Sequence, residues 1–184
     1  GCELALNFAN KGANVILVLG PSNENPIHEN ITIKRVESAK EMYIESLSVF
    51  ESSHIVIAAA AVSDYKPLYK LNQKYKKKFG TPEIVLQKTK DILADMGKAK
   101  KDQFLVGFAL ETNNEIENAK SKLVQKNLDL VVMNSLNDDG ACFESDTNKV
   151  TIFSKDNKMH KFELKSKQDV ANDIVDLILK EIDE

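Results

Sequence analysis

The sequence lacks both a long apolar run and a cysteine framework. Its longest apolar run, Ile55 to Val62, is far shorter than the roughly 20 residues needed to cross a bilayer, and it suits a buried strand. The two cysteines, Cys2 and Cys142, are far apart and fit neither a disulfide framework nor a CxxC metal motif. We therefore expect no membrane anchor and a cytoplasmic location.

The sequence also lacks an excess of positive charge. It has 25 Lys and Arg against 28 Asp and Glu, which gives a net charge of -3 and a pI near 5.7. Because nucleic-acid phosphates require a basic surface, we expect no nucleic-acid partner.

An initiating methionine is missing, since the chain begins Gly1-Cys2-Glu3, and no signal-peptide pattern is present after it. At 184 residues with 42% hydrophobic content, the chain can bury one sizeable core. We expect a single domain over residues 1–184 that is truncated at its N-terminus.

A convincing set of residues for nucleophilic catalysis is absent as well. The three histidines, His28, His54 and His160, are scattered and form no Ser/His/Asp or Cys/His pattern. The sequence therefore predicts no side-chain nucleophile, and it identifies no metal ligands.

The chain does contain an alternation of strands and helices. Buried runs and amphipathic periods predict strands at 15–19, 31–36, 55–61, 83–86, 104–109 and 128–133, and helices at 4–9, 39–50, 91–98, 114–126 and 167–182. Such alternation predicts an α/β fold with a mostly parallel sheet and helices on both faces. Near the end, segments 150–153 and 159–164 flank Asp156-Asn157, which predicts a C-terminal antiparallel hairpin.

Ligands of open parallel sheets bind beyond the carboxyl ends of the strands, so the residues just after each strand are the candidates for a site. The alanine series Ala58 to Ala61 ends one strand and precedes Asp64. Small side chains let a ligand approach the backbone, but they equally permit close packing of a helix on the sheet. The sequence leaves both interpretations open.

Clustered lysines are the second unusual feature. Tyr65 to Gly80 shows no clean periodicity and holds six of them: Lys66, Lys70, Lys74, Lys76, Lys77 and Lys78. This segment is either a solvated loop or a basic loop that closes over phosphates. Lys122 and Lys126 share a helix face at i, i+4, where like charges repel and an anionic partner would be favourable, although ordinary surface lysines also fit.

Several segments, in order, resemble phosphopantothenoylcysteine synthetase, usually the second half of a bifunctional bacterial flavoprotein. The similarity covers nearly the whole chain, and five motifs at matching separations are more specific than any one alone. The matching segments are Gly1 to Ala5 with Gly12 to Gly20-Pro21, Ala59 to Tyr65, Lys74 to Lys77, Val106 to Thr112, and Lys126 to Asp129.

The resemblance implies a Rossmann-like three-layer sandwich and a two-step ligase. The carboxylate of 4'-phosphopantothenate attacks the α-phosphorus of CTP, pyrophosphate leaves, and the amine of L-cysteine then displaces CMP from the acyl intermediate. Magnesium and a homodimer are implied too, with the C-terminal hairpin as a candidate contact. FMN is implied only if a decarboxylase domain lies upstream.

The resemblance also implies roles for particular residues. Lys74 matches the first lysine of the family's Lys-x-Lys-Lys loop, which serves the activation chemistry. The residues that match nucleotide contacts are Ala58, Ala59 and Ala60 as a backbone wall, Asp64 as a polar anchor, Lys90, Asp91, Ile92 and Leu93, Phe108 near the base, and Lys122 and Lys126 for phosphates or sugar.

Two features depart from the family pattern. The family's first strand and its asparagine-bearing loop would precede Gly1 and are absent from the sequence. Lys88-Thr89-Lys90-Asp91 stands where the family usually has Lys-Asn-Pro-Asp, and the loss of proline weakens the turn before the next helix. Thr89 can still cap that helix, and Asp91 can still interact favourably with its N-terminal dipole.

Two other functions compete with the ligase. The opening glycine, helix and strand resemble part of a nicotinamide-dependent oxidoreductase, but Gly20-Pro21-Ser22 stands where such folds carry an acidic residue for the ribose. The other is a non-catalytic interaction module that uses the hairpin and the lysine-rich segment.

Overall fold

The structure is a computed structural model that describes residues 1–69, 71, 73, 74, 83–111, 113–135 and 147–183. Several residues named above lie outside the described residues: Lys70, Tyr75, Lys76, Lys77, Lys78, Gly80, Thr112 and Cys142.

Five helices and eleven strands form the described part of the chain. The helices are α1 (Cys2–Asn10), α2 (Ala39–Phe50), α3 (Ile92–Ala99), α4 (Glu115–Gln125) and α5 (Lys167–Asp183). The strands are β1 (Val15–Leu19), β2 (Ile31–Arg35), β3 (Ile55–Ala58), β4 (Tyr65–Pro67), β5 (Leu86–Lys88), β6 (Phe104–Glu111), β7 (Leu130–Ser135), β8 (Thr147–Asn148), β9 (Val150–Ser154), β10 (Met159–Lys161) and β11 (Lys165–Ser166). Among the described helices, none is both long and apolar enough to span a bilayer.

The helix ends follow the local sequence. Helix α1 ends in a left-handed turn at Gly12, whose φ is 90°, and the N–H of Ala13 returns to the carbonyl of Phe8 at 3.0 Å. Helix α2 begins at Ser38, whose hydroxyl accepts from the N–H of Glu41 at 3.2 Å. Both signals are local, which is why the sequence predicted these ends within a residue or two.

The main sheet has five strands in the order β10-β9-β7-β6-β3. Strands β3, β6 and β7 are parallel, while β9 and β10 form the antiparallel hairpin at one edge. Strands β1 and β2 form a separate parallel pair, and β11 pairs with β8. The predicted fold class and C-terminal hairpin are confirmed.

Helices cover both faces of the main sheet. One apolar cluster joins α1 and α5 to the face that carries Val106 and Val132. The other joins α3 and α4 to the face that carries Leu105 and Val131. Because side chains alternate across a strand, neighbouring residues of β6 and β7 contribute to opposite clusters, as a three-layer sandwich requires.

The strand predicted at 159–164 ends at Lys161, and two other predicted strands also differ from the structure. The strand predicted at 55–61 ends at Ala58, so Ala59 to Ala61 leave the ladder. The strand predicted at 83–86 is instead Leu86–Lys88, and it pairs with β4 in an antiparallel ribbon separate from the main sheet. Both differences are set by strand pairing, which residue preference alone does not fix.

Candidate functional site

The end of β3 is built from small residues that serve both faces of the sheet. Ala58 packs against the α3–α4 cluster, Ala59 packs against the α1–α5 cluster, and Ala60 is exposed. Beyond Ala58 the backbone is no longer paired in the sheet. Its polar groups at Ala59 and Ala60 lie where a ligand at the carboxyl edge would approach.

A glycine beside Ala58 brings α3 close to the sheet. Ala58 pairs with Gly107 on β6, where an added Cβ would lie 2.8 Å from both Leu93 and Leu128 side-chain carbons. Helix packing therefore accounts for the glycine at 107, and Ala58 beside it packs against the same α3–α4 cluster. This was one of the two interpretations left open, and a role for the Ala58 backbone remains compatible with it.

Thr89 connects the segment carrying Asp64 to the start of α3. Its hydroxyl donates to the carbonyl of Ser63 at 2.6 Å, and its N–H donates to the carbonyl of Asp64 at 2.9 Å. Thr89 is therefore not the cap of α3. Thr89 lies two residues before Asp91, and its hydrogen bonds attach the exposed segment that carries Asp64 to the start of α3.

Asp91 is the N-cap of α3, and together with Lys122 and Lys126 it forms a charge cluster. Its carboxylate accepts from the N–H of Ala94 at 2.9 Å and pairs with Lys126 Nζ at 2.9 Å. Burial alone would raise the pKa of Asp91, but hydrogen bonds from Lys126 and Ala94 outweigh it and lower the pKa. The charge of Lys122 acts in the same direction.

Lys122 reaches the carboxyl half of β6, and Lys126 reaches the N-terminal end of α3. Lys122 Nζ donates to the carbonyl of Phe108 at 2.6 Å, and the side chain of Lys126 is 24% exposed. The carboxylate of Asp91 offsets the repulsion that their i, i+4 spacing creates. The two ammonium groups are thus held at one end of the parallel strands.

Phe108 meets this cluster through its backbone rather than its ring. Its carbonyl binds Lys122, while its side chain is half-buried against the α1–α5 cluster. The ring and the lysines therefore lie on different faces of β6. A ligand that contacts both would have to cross the end of this strand.

Helix α2 contributes a residue that the sequence did not predict. Lys90 Nζ lies 4.5 Å from the ring centroid of Tyr43, and the hydroxyl of Tyr43 donates to Asp95 at 3.2 Å. An aromatic face attracts a cation, so Tyr43 restricts where the exposed Lys90 can point. No local pattern links positions 43 and 90, because only the packing of α2 on α3 brings them together.

The remaining predicted residues differ in exposure. Leu93 is buried and Ile92 is partly buried in the α3–α4 cluster, so their side chains serve the core. Lys74 is exposed, and the residues after it, 75–82, lie outside the described part of the chain. Its catalytic role stays a prediction.

Metal ligands remain unassigned. Within the described ranges, no group of three or more His, Cys, Asp or Glu side chains is arranged to hold a metal ion.

Comparison with known proteins identifies the family and the fold. Residues 1–182 match the family model described as DNA/pantothenate metabolism flavoprotein C-terminal domain. A solved structure, the C-terminal domain of Coenzyme A biosynthesis bifunctional protein CoaBC, is 34% identical with a TM-score of 0.82, and the match covers 100% of this chain and 83% of that chain.

Two curated relatives are similar over most of the chain. One, from an unknown prokaryotic organism, is named cysteine/cysteine sulfinic acid decarboxylase and is 49% identical over 97% of this chain and 50% of its own length. The other, Coenzyme A biosynthesis bifunctional protein CoaBC of Bacillus subtilis (strain 168), is 42% identical over 95% of this chain and 43% of its own length. The chain spans about half the length of these curated relatives.

The match covers nearly the whole sequence, and the fold is shared with a solved member at substantial identity. The resemblance seen in the motifs is confirmed, and the oxidoreductase alternative is not favoured. The chain belongs to the family of DNA/pantothenate metabolism flavoprotein C-terminal domains.

Proposed function

We propose that this chain is the ligase domain that joins 4'-phosphopantothenate to L-cysteine in coenzyme A biosynthesis. CTP activates the substrate carboxylate as an acyl-cytidylate with release of pyrophosphate, and the cysteine amine then displaces CMP. The observation that carries the proposal is the cluster of Asp91, Lys122 and Lys126 beside the small-residue end of β3. The names of the bifunctional relatives assign those proteins to coenzyme A biosynthesis, which supports the proposed pathway.

The site offers several groups that a nucleotide could contact. Ala59 and Ala60 offer backbone where β3 leaves the sheet, and Asp64 provides a carboxylate on the adjoining segment. The N-cap of α3, Asp91, is paired with Lys126, and Lys90, Ile92 and Leu93 adjoin it in the chain. We assign the lysines to the phosphates or sugar and Phe108 to the neighbourhood of the base.

The chemistry requires charge stabilisation rather than a protein nucleophile. The carboxylate of the substrate attacks phosphorus, and negative charge develops on the departing pyrophosphate. A lysine ammonium group beside the leaving pyrophosphate lowers the energy of that charge. We assign this task to Lys74, with Lys122 and Lys126 holding the nucleotide.

Magnesium fits this arrangement as an ion bound largely by the nucleotide. Mg²⁺ usually takes one or two protein carboxylates and completes its coordination with phosphates and water. The lack of a larger ligand cluster among the described residues is compatible with that mode. When bound, the ion would neutralise phosphate charge.

We further propose that the chain acts in the cytoplasm as a homodimer. The antiparallel ribbon of β4 and β5 and its flanking residues expose many large apolar side chains: Tyr65, Leu68, Tyr69, Leu71, Ile84, Val85 and Leu86. Apolar surface of this extent favours association. We therefore place the contact at the ribbon in preference to the C-terminal hairpin.

Sedimentation tests the dimer. The parent chain is expected to sediment as a dimer at micromolar concentration and Leu86→Glu as a monomer, because a buried charge is costly. Ile27→Glu, which alters an even more exposed apolar residue away from the ribbon, is the control. A monomeric parent would refute the dimer.

The ligase is tested by measuring pyrophosphate release with CTP or ATP, 4'-phosphopantothenate and cysteine. We expect release to require the nucleotide and phosphopantothenate, and to be greater with CTP. The Bacillus subtilis relative is the positive control. If the chain neither binds a nucleotide nor releases pyrophosphate while the control does, the proposal is wrong, and release of CO₂ from cysteine would instead favour the activity named for the decarboxylase relative.

A further inference from the structure

The turn that ends α4 is held by a single asparagine in a left-handed conformation. Asn127 has a φ of 50°, its N–H donates to the carbonyl of Val124 at 3.2 Å, and the N–H of Leu128 donates to the carbonyl of Leu123 at 2.9 Å. This is the hydrogen-bond pattern of a Schellman motif. Asparagine tolerates the conformation better than most residues other than glycine.

The side chain of Asn127 extends this turn to the neighbouring helix. Its Nδ2 donates to the carbonyl of Gly97 in α3 at 3.0 Å. At Gly97 itself an added Cβ would lie 2.0 Å from the carbonyl oxygen of Lys126. The backbone of Lys126 is therefore in direct contact with α3, and the amide of Asn127 fixes its position along that helix.

From this contact, the side chain of Lys126 runs along α3 toward its N-terminus. Gly97 and Asp91 are separated by roughly one and a half helical turns, yet Lys126 Nζ reaches the carboxylate of Asp91 at 2.9 Å. A shift of the Lys126 backbone relative to α3 would break this pair. The position of the ammonium group thus depends on the contact at the other end of the helix.

We propose that Asn127 is a positioning residue, which fixes the Lys126 ammonium group for an anionic group of the bound nucleotide by hydrogen bonding to Gly97. The inference rests on the proposed nucleotide site. Asn127 itself need not touch the nucleotide.

The test compares the same substitution at two left-handed asparagines. Asn127→Gly keeps the backbone conformation and removes only the side-chain hydrogen bond, so the chain should fold. Asn157→Gly is the matched control, because Asn157 has a φ of 62° in the turn between β9 and β10. Thermal unfolding of both variants verifies that they are folded.

Calorimetric titration with CTP, and with ATP in parallel, gives the nucleotide Kd. We expect Asn127→Gly to weaken binding about fivefold, as for the loss of one hydrogen bond, and Asn157→Gly to leave it unchanged. In a Lys126→Met background, Asn127→Gly should have no further effect, because it acts through the lysine. The proposal would be overturned if Asn127→Gly left the nucleotide Kd unchanged. It would also be overturned if Asn127→Gly still weakened binding to the full extent in the Lys126→Met background.

A second measurement separates this proposal from the proposed function. NMR titration of the Asp91 carboxyl group should give a higher pKa in Asn127→Gly than in the parent, since Lys126 no longer holds its position. If the parent binds neither nucleotide, the proposed function fails, but the Asp91 titration still tests the positioning. An unchanged pKa of Asp91 in Asn127→Gly would refute the role of Asn127.

Discussion

The α3–α4 layer and the β4–β5 ribbon carry different parts of the proposed site and differ in how they are held. In the layer, Leu93, Met96 and Leu123 are buried, and the backbones meet at Gly97. In the ribbon, Ile84 and Tyr69 are 70% and 73% exposed, and Lys74 lies on the connection between the two strands. Fixed cations suit binding of a nucleotide, whereas a lysine outside the packed layer suits charge that moves during reaction.

The most severe test of this division is Lys74→Gln. We expect pyrophosphate release to be abolished, by at least about a thousandfold, because charge on the leaving group is no longer stabilised. The unfolding temperature should not change, since Lys74 is exposed. Lys161→Gln on the distant hairpin is the control, and parent-like pyrophosphate release by Lys74→Gln would remove Lys74 from the mechanism.

Substitutions in the α3–α4 layer should lower the free energy of unfolding, and we expect the largest loss at Asp129. This residue is 3% exposed and accepts from the N–H of Leu105 at 2.7 Å, from Lys155 Nζ at 3.0 Å and from Lys100. Asp129→Asn leaves Lys100 without its charge partner and should cost about 3 kcal/mol of unfolding free energy in urea denaturation. Asp176→Asn, which breaks only an exposed pair with Lys11, should cost less than about 1 kcal/mol.

Asp129 also predicts how stability depends on pH. Burial raises its pKa, but hydrogen bonds from Leu105, Lys100 and Lys155 dominate and hold the pKa below the ordinary 3.8. The ionised Asp129 therefore contributes its full stabilisation above pH 3.8, the ordinary pKa of the group. That stabilisation is lost as the pH falls through the lower pKa of Asp129 in the folded state. Stability of the parent should fall on acidification in that range, and Asp129→Asn should show a shallower slope; equal slopes would contradict this.

The close contact between Gly97 and the backbone of Lys126 predicts that Gly97→Ala loses stability, although less than Asp129→Asn does. The new Cβ meets the backbone oxygen of Lys126, which cannot rotate away, so we expect about 2 kcal/mol of destabilisation. Gly20→Ala is the matched control, because its Cβ would meet only the flexible end of Met42 at 3.4 Å. Equal stability of the two variants would show that the layer can relax.

The smallest expected effect concerns the contact between the Tyr43 ring and the exposed ammonium group of Lys90. Tyr43→Leu removes the ring beside Lys90 and should raise the KM for nucleotide about twofold to fivefold, the size of a cation–π contact. Tyr43→Phe keeps the ring and loses only the hydrogen bond to Asp95, so it should resemble the parent. A similar KM in Tyr43→Leu and the parent would remove Lys90 from the site.

Sequence patterns predicted the elements that depend on neighbouring residues. The hairpin turn around Asn157 was predicted because asparagine accepts a left-handed backbone conformation. The order of strands and helices followed from apolar periodicity, which gave the fold class. The motifs also placed the chain in its family, and the family model confirms this.

Contacts between distant segments were not predictable in the same way. Thr89 was expected as a possible cap, but it binds the carbonyls of Ser63 and Asp64 instead. The partnership of Tyr43 with Lys90 and the hydrogen bond from Asn127 to Gly97 likewise join different elements. Each depends on how helices pack, which local residue preferences do not specify.

By itself, the sequence determined the five helices and the order of the parallel strands, and it indicated which residues follow those strands at the carboxyl edge. Periodicity and turn chemistry act over a few residues and are therefore readable along the chain. Only the tertiary structure decided that Asp91 holds Lys126, that Lys122 binds the backbone at Phe108, and that β4 and β5 leave the main sheet. These outcomes depend on packing between segments far apart in sequence, where distances of a few tenths of an ångström separate contact from clash.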